Sequence, residues 1–185
     1  MDDDDEDLVH RARAGDGAAL GRLFDRFWTP VLRYLAAQLG SVQVAEDMAA
    51  EVFVEVAERI HRFSGDETTF GAWVFTIARH DLYDLRRSQA RRTVVPVADV
   101  PEGASDDPDV VDEVSLRLDA VHLAAAMRLL TPDQREVLLL KYAGGLGNPE
   151  VSQLIGKPVT AVKSLQHRAL AALRRALEAE GVESP

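Results

Sequence analysis

The chain has no cysteine in its 185 residues, so it offers no disulfide, no thiolate zinc site and no thiol nucleophile, and its fold must hold by packing. Strand signals are nearly absent too. The β-branched residues recur at helical spacing, and the one short extended candidate, TVVPV at 93–97, is interrupted by Pro96. No apolar run approaches the ~18 residues of a membrane span, and the opening MDDDDEDL is the opposite of a secretion signal, which starts basic and continues apolar. These absences predict a cytoplasmic protein with no membrane insertion of its own. The five histidines, at 10, 61, 80, 122 and 167, are scattered along the chain, and no glycine loop of the phosphate-cradling kind is present. No metal or cofactor is expected, and a carboxylate metal hydrolase built on Asp47 and Glu51 is disfavoured.

What is present is charge, and it is segregated. Hydrophobic residues make up 46% and charged residues 28%, the range of a globular protein, with a formal net charge of -10. Residues 2–7 form an acidic leader, and residues 99–119 hold eight acids against one base, Arg117. Two basic zones remain. Five arginines fall within 79–92 beside Asp81 and Asp84, and eight bases within 128–177 face three acids. Two separate basic patches with acid between them suit a protein that touches DNA at two places; solvated faces with no partner would give the same composition.

The periodicity predicts an all-α protein of two small helical domains joined by an acidic flexible linker. Residues 1–7 are the leader, 8–92 the first domain, 93–109 the linker, 110–178 the second domain and 179–185 a tail. In the first domain a helix from Leu8 stops at Gly15, Asp16 caps a second that carries Pro30, and Ser41 caps a third. Ala45, Met48, Val52, Phe53, Val56 and Ile60 line one face of that third helix. After the polar loop SGDETT, a fourth helix turns Phe70, Trp73, Val74, Ile77 and Leu85 inward and leaves Arg79, Arg86 and Arg87 outward. The second domain opens with a helix from about Val110 to Leu129. TPDQ at 131–134 is a capping box with Pro132 in the first turn, and the helix it starts reaches Tyr142. Asn148 is expected to cap a short helix that Gly156 stops. The last helix buries Val162, Leu165, Ala169 and Leu173. Two short helices about a tight glycine turn, the second basic outside, form a helix-turn-helix.

Three stretches in this order, AEDMAAEVF (45–53), FGAWVFTIARHDLYDLRR (70–87) and LTPDQREVLLLKYAGGLGNPEVSQLIGKPVTAVKSLQHRALAALR (130–174), resemble regions 2.2, 2.3 to 2.4 and 4 of extracytoplasmic-function (ECF) sigma factors. The resemblance implies a subunit that binds core RNA polymerase, through the beta-prime clamp helices and the beta flap, and directs promoter recognition and transcription initiation without being an enzyme. It implies promoter DNA and an anti-sigma factor as further partners. By residue it assigns Glu46, Asp47 and Glu51 to the polymerase, with Phe53 read as core. It assigns the minus-ten element to Ser64, Asp66 and Thr68, as a polar pocket for an unstacked base, and to Arg79, His80, Arg86 and Arg87 as the grip on single-stranded backbone. Trp73, a tempting stacking platform, is read as core from its apolar spacing. On the last helix Thr160, Lys163, Ser164 and His167 would face the bases of the minus-thirty-five element, while Lys157, Arg168 and Arg174 are placed for phosphates. His167 is equally readable as a helix-packing residue. The chain departs from the family at Ala49 and Ala50, where a Thr-Gln pair is usual, at His80, where asparagine is common, and at Thr160-Ala161 and Leu165-Gln166 in the reader. A different class of protein, a stand-alone helix-turn-helix regulator with an N-terminal sensor or dimerisation domain, is the alternative. The arginine-bearing fourth helix disfavours it, since a sensor has no need of one.

Overall fold

The computed structural model describes residues 8–92 and 122–179. The leader, the linker and most of the helix expected from Val110 lie outside the described residues. Four helices build the first half: α1 (Leu8–Arg13), α2 (Gly17–Leu39), α3 (Val42–Arg59) and α4 (Glu67–Arg92), with a 3-10 turn at Ile60–Arg62. The second half comprises α5 at residues 122–128, α6 (Pro132–Leu138), a π-turn (Leu139–Ala143), α7 (Asn148–Ile155) and α8 (Val159–Ala179). No strand occurs among the described residues.

The helix starts follow from local chemistry. The Asp16 carboxylate accepts from the amides of Ala18 and Ala19, and Ser41 Oγ accepts from Val44, each satisfying donors that a helix start leaves unpaired. At α6 the capping box is complete: Gln134 N donates to Thr131 Oγ1, and Thr131 N donates to Gln134 Oε1. Gly40 and Gly156 end α2 and α7 in the left-handed conformation, with φ of 72° and 65°. Two expectations are corrected. The cap of α7 is Gly147 rather than Asn148, because Val151 N already donates to the Gly147 carbonyl and the helix begins one residue early. The helix from Pro132 is α-helical only to Leu138; it widens to a π-turn, with Gly144 N donating to Leu139 O, and runs one residue past Tyr142.

Packing joins what the sequence divides. Leu23, Val31, Tyr34 and Leu35 of α2, Ala45, Val52 and Val56 of α3, and Phe70, Val74, Phe75 and Leu82 of α4 are all buried. At about 1.5–3 kcal/mol for each large apolar side chain taken from water, this stripe-to-stripe contact is the main stabilising term of the first half. The same apolar cluster continues through Val137, Leu139, Leu140, Leu146, Val151 and Val162 of the second half. Helix α2 packs on the π-turn and α4 packs on α7. A smaller cluster of Leu130, Leu138 and Ala169 ties α8 to α6.

Candidate nucleic-acid interface

Each surface is carried by a helix whose opposite face is core. On α3, Ala45, Met48, Ala49, Val52, Phe53 and Val56 are buried, so Glu46, Asp47 and Glu51 are left exposed. Asp47 and Glu51 stand one turn apart on one face. Val44 and Val54, 43% and 59% exposed, continue that face at either end, so the carboxylates sit within a partly apolar stripe that suits a helix as partner. The sequence reading overlooked both valines. Of the family departures, Ala49 is fully buried and Ala50 exposed.

The loop before α4 is ordered by its own polar groups. Asp66 accepts from the Thr68 hydroxyl at 2.7 Å, the Thr69 hydroxyl at 2.8 Å and the Thr69 amide at 3.0 Å. These bonds, the Thr68 hydroxyl first, hold the Asp66 carboxyl below its ordinary pKa. Asp66 thus caps α4 and Thr68 supports the cap, while Ser64 is exposed beside them. Trp73 packs against Phe63 and Phe70 with ring centroids 4.9 and 5.6 Å away.

Along α4 the basic side chains are not equivalent. Arg86 and Arg87 are exposed; Arg86 Nη2 donates to Gln38 Oε1 at 2.8 Å, and Arg87 lies 3.9 Å from Asp84. His80 is exposed between Asp81 and Asp84, its Nδ1 3.8 and 3.7 Å from their carboxylates. Arg79 contradicts the expectation that it faces outward. Its Nε donates to Glu136 Oε1 at 2.6 Å, its guanidinium lies 4.7 Å from the Tyr83 ring centroid, and Tyr83 donates to Glu136 Oε2 at 3.2 Å. Burial works against the Arg79 charge, and the hydrogen bond and charge of Glu136 outweigh it, leaving the guanidinium pKa raised.

The first turns of α8 present Thr160, Lys163, Ser164 and His167, all exposed, while Val162 and Ala169 are buried and Leu165 and Leu173 are half-buried. His167 is therefore a surface residue and not a packing one. Arg168, whose Nε donates to Ser164 O at 3.3 Å, and Arg174 are exposed further along. Lys157, in the turn before α8, is 3.0 Å from Asp133. A helical hairpin with its second helix polar and basic at the outer N-terminal end fits the major groove.

This geometry has relatives. Residues 23–92 match the family model for sigma-70 region 2, and residues 121–173 that for sigma-70 region 4. The chain belongs to the ECF RNA polymerase sigma factors. It is 35% identical to the ECF RNA polymerase sigma factor ShbA of Streptomyces griseus over 92% of this chain and 94% of that one. It is also 35% identical to the sigma factor BldN of Streptomyces coelicolor over 92% of this chain, spanning 65% of that relative's length. The fold matches that of CnrH, solved in complex with the cytosolic domain of CnrY, with a TM-score of 0.70, 24% identity and coverage of 96% of this chain and 99% of the other. Sigma factors recognise promoters and start transcription, so a stand-alone regulator is not favoured. Sequence reasoning missed Glu136 and Tyr83, which pair with Arg79. Glu136 was the harder to foresee, because it stands in an otherwise basic second half and reads as a surface acid, yet it is only 8% exposed.

Proposed function

We propose that this sigma factor docks on core RNA polymerase through the Asp47 and Glu51 face of α3, with Glu46 at its edge, and opens promoters with the loop and arginines of α4. The N-terminal part of α8 then reads the minus-thirty-five element. The observation that carries this reading is the division of labour on each helix: the apolar side is spent on the core, and the assigned polar side chains are left exposed, apart from Arg79 and Lys157, which are half-buried. In the minus-ten surface, Ser64 and the backbone of the capped loop shape the pocket for an unstacked base, with Asp66 and Thr68 fixing its geometry. Arg86, Arg87 and, when free of Glu136, Arg79 grip the backbone, with His80 beside them. Thr160, Lys163, Ser164 and His167 face base edges, and Lys157, Arg168 and Arg174 hold phosphates. The protein works in the cytoplasm, where its polymerase is, and performs no catalysis of its own. An anti-sigma factor is a further partner of this chain, as its place among the ECF sigma factors implies.

Run-off transcription with purified core polymerase and a genomic promoter library tests the reading: specific transcripts are expected only when this chain is added. Charge reversal of Asp47 and Glu51 together should abolish co-purification with core while leaving circular dichroism and melting temperature nearly unchanged. Loss of the fold in that variant would show the two carboxylates to be structural.

A further inference from the structure

Two carboxylates stand side by side at the start of α4, and they act in different directions. Asp66 bonds within its own loop and caps α4, whereas Glu67, the first residue of the helix, reaches back to the start of the chain's first helix. Its Oε1 accepts from the backbone amide of Val9, 58 positions away, at 2.6 Å. A helix start leaves such an amide without a partner of its own, so a side chain of α4 caps α1. The other oxygen, Oε2, is shielded from solvent and lies 3.7 Å from Arg26 Nη1 on α2. One carboxylate thus joins α1, α2 and α4. Its side chain is only 19% exposed, and a carboxylate so far removed from water is costly unless it is paired, which makes this junction specific.

The junction bears on the loop that Asp66 orders. Helix α1, fixed by the burial of Leu8, Val9 and Ala12, also packs on the 3-10 turn Ile60–Arg62. Residues 63–66 therefore run between two points that α1 holds, the turn at their entry and Glu67 at their exit. Between those points the loop has no slack. A methyl group built on Gly65 would overlap the Phe63 ring and Thr69 Oγ1, and Phe63 is itself buried against Phe70 and Trp73. Asp66 gives the loop its internal shape, and Glu67 gives it its place on the bundle. A pocket for an unstacked base needs both, because its polar groups must be held to within about 0.5 Å before the base arrives.

We infer that Glu67 is a positioning residue for promoter opening, acting through Ser64 and the loop backbone by fastening the loop to α1 and α2. This role rests on the promoter-recognition reading and deepens it, since it gives α1 a part in base capture through a residue that need not touch the base. The test uses holoenzyme made from the full chain and two forms of one promoter, intact and abasic at the minus-ten base whose removal most impairs opening by the wild type. Permanganate reactivity of thymines near the start site reads the opening. Glu67→Ala should lower opening of the intact promoter several-fold and leave that of the abasic promoter at the wild-type level, because a misplaced pocket loses nothing where there is no base to hold. Glu67→Gln, whose amide oxygen still accepts from Val9, should open the intact promoter nearly as well as the wild type. Co-purification with core polymerase and binding to the minus-thirty-five duplex should be unchanged in both. A loss shared equally by the intact and abasic promoters would show that Glu67 merely stabilises the domain, and no loss on either would show the junction to be dispensable; each overturns the inference. If Glu67→Ala loses its helical circular dichroism, Arg26→Ala carries the test, since Arg26 is exposed and its removal weakens the same junction. A loss confined to the intact promoter then supports the inference, and any other pattern overturns it. Wild-type holoenzyme that no abasic minus-ten position impairs defeats the promoter-recognition reading of the loop and this role with it. A wild type that does need the base, matched by Glu67→Ala on both promoters, defeats the role of Glu67 alone.

Discussion

Asp81 sits half-buried on α4, and burial, then repulsion from Glu55 and Glu51 on α3, push its carboxyl above its ordinary pKa against the pull of His80. A raised carboxyl means that the folded state holds its proton more tightly than the unfolded one. Its charge therefore costs stability at neutral pH, and the cost disappears as pH falls through the folded value toward 3.8. Asp81→Asn should raise the melting temperature at pH 7, with the gain shrinking as the pH approaches 4; a lowered melting temperature at pH 7 would mean that the contact with His80 dominates instead. Asp66 has the opposite sign. Its depressed carboxyl contributes stability above 3.8 that is lost as pH falls through its lower folded value, so Asp66→Asn, which can still cap, should lose less stability between pH 5 and 3 than the wild type in parallel melts. The sequence suggested Asp66 as a base contact and not as a cap, because only the folded loop turns both threonine hydroxyls to it. Arg79 was misjudged for a related reason. It stands four residues after Phe75 and three before Leu82, at the flank of the buried stripe, and a single helix cannot reveal that a second half covers that flank.

At the scale of elements, what was legible was what is local. Caps at Asp16, Ser41 and Thr131, the stop at Gly156 and the buried faces of α3 and α4 all follow from side chains within a turn of one another. The π-turn was not legible, since its wider hydrogen bonds depend on how Leu139 and Leu140 fit the first half. At Gly156, φ is 65° and a methyl group added there would meet no other atom within 4 Å, so the cost of Gly156→Ala is conformational alone. It should lower stability by about 1–2 kcal/mol, read as a lower urea midpoint with an unchanged slope. Helix α8 separates readout from grip. Lys163 lies one turn into the helix, where side chains reach base edges, so Lys163→Ala should cost roughly 1–3 kcal/mol on the cognate minus-thirty-five sequence and much less on scrambled DNA. Arg174, three turns further on, should when changed to alanine weaken holoenzyme binding to all promoters alike and reduce the salt slope by about one. Equal losses from Lys163→Ala on every promoter variant would remove α8 as the reader.

For the whole molecule, fold class and charge layout were readable from composition and periodicity, whereas the docking of the halves was not. Docking depends on apolar residues such as Val137, Leu140 and Val151, which each half alone would have supplied equally well to an interior of its own. The shared core has a thermodynamic consequence: the halves should unfold as one cooperative unit. Both tryptophans, Trp28 and Trp73, belong to the first half, so their fluorescence reports on that half alone. Leu140 belongs to the second half and is fully buried in the common cluster. Truncating it removes buried methyl groups and leaves a cavity, a loss of about 2–5 kcal/mol at such sites. If the halves are coupled, Leu140→Ala must move the tryptophan-detected midpoint to lower urea by the same amount as the midpoint from far-ultraviolet circular dichroism, with the two probes superimposable in wild type and variant. If the halves melt independently, the fluorescence transition stays where it is in the wild type and the dichroism curve of the variant splits in two, because a cavity in one domain cannot destabilise another that it does not touch.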